Sequence, residues 1–200
     1  MKRIILSLVL LFFAINSAAL AAPAIAEFPL GMTKQEAVSK GLIMKDEQGG
    51  ILVTTFGEKD WPTALTFEND KLVSLILKGS DEEFVAAANE GLLRLDWMVI
   101  HSATENNQVF DAFKLIFEGK SFDDVVLEYE NFYNVNITQS QNLTKYTSTY
   151  ISERTLVAFL KLRDQKPVEA YPDSTLCRVS AAGNDITLMF TTFAYMGKMN

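Results

Sequence analysis

Two spacings of apolar residues alternate along this chain, one close to helical and one with period two. Between Phe28 and Lys78 they build a compact unit. Thr33 followed by Glu36 has the form of a capping box: the hydroxyl accepts from the Glu36 amide while the carboxylate reaches back to the Thr33 amide. The spacing predicts a short helix from about Lys34 to Lys40, ended by Gly41 in a left-handed conformation. After Gly49-Gly50, the run Ile51–Phe56 is rich in β-branched residues and reads as a strand. Gly57 to Pro62 reads as a loop. Thr63–Phe67 and Leu72–Leu77 flank Asn69-Asp70, a pair suited to a tight hairpin because both residues tolerate positive φ. Alternation puts Val73, Leu75 and Leu77 on one face, and Leu72, Ser74, Ile76 and Lys78 on the other.

Helical spacing then returns. Ser80 is the expected N-cap of a helix from Asp81 to about Leu95, with Asp81, Glu82 and Glu83 in its first turn, where the helix dipole favours negative charge. Phe84, Ala87, Ala88, Gly91, Leu92 and Leu95 form its apolar stripe. The middle of that stripe is small, so a sheet is expected to pack closely there. Trp97–Ala103 fits either a strand or a continuation of the helix. Val109–Phe117 is read as a helix carrying Phe110, Phe113 and Phe117 on one stripe, ended by Gly119. Ser121 opens the clearest helix, with Phe122, Val125, Val126, Tyr129, Phe132 and Tyr133 in register. Asn134–Thr144 is loop-like. Strands are expected over Lys145–Ile151, Thr155–Arg163, Ser174–Ser180 and Asp185–Tyr195, in an antiparallel meander. The fold class is α+β, with antiparallel sheet packed against several short helices. Residues 27–200 form either a single domain or two α-plus-meander halves, 27–104 and 105–200, although no residue-level repeat relates the halves.

The first residues change the picture of where the protein works. Lys2 and Arg3 precede an apolar run, Ile4–Ile15, too short to span a bilayer. Ala19-Leu20-Ala21 and Ala24-Ile25-Ala26 both fit a signal cleavage site, so residues 1–26 read as an export signal cut after Ala21 or Ala26. Its style points to a bacterial periplasmic or secreted protein, associated with the membrane only through an uncleaved signal if at all. The formal charge of −7 becomes −9 when Lys2 and Arg3 leave with a segment that holds no acid. An acidic chain without a basic cluster lacks the footprint of a nucleic-acid or anionic-lipid binder. The single Cys177 cannot close an internal disulfide and reads as a small buried hydrophobe in a strand.

Gly31-Met32-Thr33 with Glu36-Ala37-Val38, followed by a hairpin containing Leu65-Thr66-Phe67-Glu68-Asn69-Asp70-Lys71-Leu72-Val73, resembles the small envelope module of the BamE (SmpA/OmlA) lipoproteins and the related β-lactamase-inhibitor-protein-like modules. The resemblance covers residues 28–78. It implies short helices on an antiparallel sheet and a role in binding other proteins. No Cys stands near the end of the signal region, so the lipid anchor of that family is not implied.

Candidate chemistry is sparse. His101 is the only histidine, and no motif surrounds it or Cys177, so a Cys–His dyad would depend on the fold bringing them together. Asp123-Asp124 with Glu128 and Glu130 reads as a solvated helix face, and no acidic run has calcium-loop spacing. There is no phosphate-binding or nucleophile-elbow motif. The sequons at Asn136 and Asn142 read as chance matches beside a bacterial-type signal. No catalytic, cofactor or metal residue is assigned, and no cofactor is expected. Trp61 and Pro62 are the candidate partner-binding residues, because aromatic side chains are enriched at binding hot spots; the alternative is that Trp61 folds back onto the helices. The expected function is that of an exported, non-enzymatic envelope protein that binds a protein partner. The alternative is a small-molecule or lipid-binding domain with the Phe110/Phe113/Phe117 stripe lining its pocket, and a third reading is a hydrolase. Partner, ligand and oligomeric state are left open by the sequence.

Overall fold

The computed structural model describes residues 26, 28–43, 51–95, 97–138, 145–152 and 175–199. The export signal, apart from Ala26, the expected strand Thr155–Arg163 and the Asn142 sequon lie outside the described residues. Among the described residues, five helices accompany eight strands: α1 Lys34–Ser39, β1 Ile51–Phe56, β2 Lys59–Glu68, β3 Lys71–Gly79, α2 Glu82–Arg94, β4 Trp97–Thr104, β5 Val109–Asp111, α3 Ala112–Phe117, α4 Phe122–Tyr133, β6 Lys145–Ser152, β7 Thr175–Ala182, β8 Asp185–Thr192 and α5 Phe193–Met199. A single π-helical turn, Asn134–Thr138, extends α4. The fold is α+β.

All eight strands form one antiparallel sheet in the order β1-β2-β3-β8-β7-β6-β4-β5. Two three-stranded meanders, β1–β3 and β6–β8, meet where β3 pairs with β8, and the β4–β5 hairpin extends the far edge. Phe56 of β1 and Phe190 of β8, three strands apart in the sheet, meet edge to face at 5.4 Å. The sheet therefore curls, and α2 lies in its concavity, touching β1, β8 and β4. The inner face carries Trp61, Leu65, Leu75, Leu77, Cys177, Val179, Ile186, Leu188 and Phe190, all buried with Ala87, Ala88 and Leu92 of α2.

Several local details follow from the sequence as expected. The Thr33–Glu36 capping box forms, with Glu36 N–H to Thr33 Oγ1 at 3.1 Å and Thr33 N–H to the Glu36 carboxylate at 2.8 Å. The Asn69-Asp70 turn has φ of 50° and 63°.

Others differ, each for a local reason. Gly57 and Glu58 both have positive φ (57° and 62°), so the first hairpin closes through two residues and the strand resumes at Lys59. The expected loop Gly57–Pro62 is thus mostly strand, and Trp61 and Pro62 lie in β2. Pro62 is tolerated because pairing of β2 with β3 begins only at Thr63, which leaves the missing donor on an unpaired side. A bulge in β3 next to Val73 brings Leu72 into the same core as Leu75 and Leu77. The Asp81 carboxylate, rather than the Ser80 hydroxyl, accepts from the Phe84 amide at 3.0 Å and caps α2. Val109–Asp111 pairs with β4 instead of opening a helix. Asp111 then caps α3 by accepting from Lys114 N–H at 3.0 Å. Phe110, Phe113 and Phe117 therefore share no helix face; Phe110 is buried in β5 and Phe117 is 59% exposed. The last strand stops at Thr192, whose Oγ1 accepts from Tyr195 N–H at 3.3 Å as α5 begins.

Candidate functional site

The groove between α2 and α4, floored by the sheet, is the candidate site. Each wall is fixed by short-range rules. α2 carries its small stripe against the sheet: a Cβ on Gly91 would lie 2.5 Å from the Phe56 ring, so this close approach needs glycine. Glu58 in the first hairpin reaches Arg94 at 2.5 Å, and Lys59 pairs with Asp81 and Glu83 while standing 4.3 Å above the Phe84 ring. α4 starts at a second capping box, Ser121 with Asp124. It is anchored by buried Val125 and by Tyr129, whose ring packs 5.1 Å from Phe110. The floor comes from Trp97 and Val99 on β4 and Tyr150 on β6, with Val99 and Tyr150 directly paired.

The resulting cavity has a volume of about 560 Å³. Its walls are aliphatic (Leu92, Met98, Val99, Val125, Val126) and aromatic (Trp97, Phe122, Tyr129, Tyr133, Tyr150), with Asn89 and Glu130 as its polar side chains. The Tyr129 and Tyr150 hydroxyls approach at 3.5 Å. Burial pushes both phenols up from their ordinary range, as it does for Tyr146 nearby, so these hydroxyls stay protonated and can donate as well as accept. Behind them the buried Ser102 and Ser148 hydroxyls pair at 2.8 Å across β4 and β6.

The residues singled out from sequence are distributed elsewhere. Trp61 is fully buried, donating from Nε1 to the Phe56 carbonyl at 2.8 Å and meeting Phe84 edge to face at 4.7 Å. It offers no surface to a partner, whereas Pro62 beside it is exposed. His101 and Cys177 do not meet: His101 aligns with Thr149 and Arg178 on the outer face, while buried Cys177 aligns with Tyr150 on the inner face. Burial also raises the Cys177 thiol well above its ordinary range. Among the described residues, no group of three or more His, Cys, Asp or Glu side chains could hold a metal ion, and no helix is long and apolar enough to cross a membrane.

The α4 stripe is visible in the sequence as helical spacing from Phe122 to Tyr133. Only its Val125 edge is buried; Phe122 and Val126 stay open to the groove. No sequence signal joined Trp97, Tyr129 and Tyr150, which are brought together by strand order. Comparison with protein-family models, curated proteins and solved structures finds no match to this chain.

Proposed function

We propose that this is an exported envelope protein that binds a small apolar ligand in the groove between α2 and α4. The observation that carries this reading is the cavity itself. Its volume lies within the range of small-molecule sites, and its lining, apolar and aromatic with a few polar groups, is the composition such sites have. The open side of α4 gives a ligand a route in. A native mass spectrum of the protein, purified without detergent, is expected to show a bound small molecule or to gain one when Nile red is added. Val126→Trp, which fills the groove from an exposed position, should abolish the complex. Absence of both co-purified mass and dye binding in the unaltered protein would overturn the reading.

A second reading, a protein-binding module, is supported by the large apolar side chains left exposed along α3, α4 and its π-helical extension: Phe117 at 59%, Leu127 at 57% and Val135 at 61%. The resemblance of residues 28–78 to the BamE-like envelope module supports the same reading. Mild crosslinking in the native envelope fraction should then enrich one protein partner, and Leu127→Asp should lose it. An unchanged yield with Leu127→Asp would set this surface aside.

A further inference from the structure

We propose that the groove selects a cationic apolar ligand, an alkylammonium or quaternary ammonium compound, with its charged head against the aromatic rings and its apolar part along the helix walls. This rests on the reading of the groove as a ligand site. Three observations point to the sign of the charge. Five aromatic rings border one cavity, and their electron-rich faces attract cations while offering little to anions. Glu130 is the one charged residue among the described residues lining it, with Asn89 as the other polar side chain. Two basic side chains of the neighbouring segments are held in ion pairs with residues that do not line it: Arg94 with Glu58 and Glu90 at 2.5 and 2.6 Å, and Lys120 with Glu128 at 3.7 Å. A fatty acid or lipid phosphate would find no counter-charge among the described lining residues and would face the Glu130 carboxylate. The chain's net negative charge adds to the bias, drawing cations towards the molecule.

The test uses three probes with the same twelve-carbon chain and different heads: dodecyltrimethylammonium, dodecanol and dodecanoate. Each is titrated into the purified protein below its aggregation concentration and followed by calorimetry. The cation is expected to bind roughly tenfold more tightly than the alcohol, and the carboxylate more weakly than either. Glu130→Gln should lower affinity for the cation severalfold and leave the alcohol unchanged. Tyr133→Leu, which keeps apolar bulk and removes a ring, should likewise act on the cation alone. Equal affinity for all three heads would overturn the cationic assignment and leave the ligand site standing. Binding of none of the three would overturn the ligand site as well.

Discussion

The indole of Trp61 is enclosed on every side, and its one donor is satisfied by the Phe56 carbonyl. A large aromatic between Asp60 and Pro62 resembles a loop residue only if the preceding Gly57-Glu58 is read as the start of a loop. The two positive φ values make it a two-residue turn instead. Alternation along β2 then points Trp61 inward with Thr63 and Leu65. Thr63 Oγ1 and Thr54 Oγ1 pair at 2.7 Å across the two strands, so the polar atoms beside the indole are satisfied as well. Truncation here is therefore a stability experiment. Trp61→Ala should cost about 3–5 kcal/mol, which for a domain of this size approaches unfolding. Trp61→Phe keeps most of the buried area, loses the hydrogen bond, and should cost about 1–2 kcal/mol. Urea denaturation followed by circular dichroism gives both values. A Trp61→Ala protein as stable as the parent would contradict the full burial of this side chain.

At the scale of elements, α2 is held by fit more than by charge. Its ion pairs to the first hairpin are exposed, and such pairs contribute little each. The decisive contacts are Gly91 beneath the Phe56 ring and the left-handed Gly57, where a Cβ would collide with the Ala87 carbonyl oxygen. Gly91→Ala poses the question directly. Helix propensity alone would favour alanine by about 1 kcal/mol. Phe56 is buried and wedged against Phe190, so it cannot yield, and overpacking should win with a net loss of about 1–3 kcal/mol. A higher urea midpoint for Gly91→Ala would show that the ring moves freely. The small stripe that predicted this packing was legible because helical spacing and side-chain size are local properties. So were both capping boxes' opening residues and the Asn69-Asp70 turn. The misread elements share a cause. Val109–Asp111 has helix-compatible apolar spacing but pairs with Ala103–His101, and that pairing depends on the turn at Asn107, with φ of 60°. The Leu72 face depended on a bulge, which shifts alternation without any marker in composition.

At the scale of the whole molecule, the groove exists because strand order sets β4 and β6 side by side although α3 and α4 separate them in sequence. The same order brings Tyr146 and Tyr150 of β6 to the Tyr129 side of α4, and this links the site to the stability of the fold. Burial, more than their mutual proximity, raises all three phenols. A group whose folded value is raised contributes stability that is complete below its unfolded value, about 10 for tyrosine, and that is lost as the pH rises through the folded one. Above about pH 10 the unfolded chain gains by ionising, while the folded chain can follow only by placing a phenolate in an apolar interior. Alkali should thus unfold the protein in one step. In a spectrophotometric titration, three of the six tyrosines are expected to ionise together, coincident with loss of the strand signal in circular dichroism. Gradual ionisation of all six with the sheet intact would place those three rings in contact with water. A neutral apolar ligand filling the groove covers Tyr129 and Tyr150 further. It should move the transition to higher pH by an amount that grows with its concentration, as binding to the folded state alone requires. Val126→Trp should remove that ligand dependence while leaving the alkaline step in place, because the wedge fills the groove without uncovering the phenols.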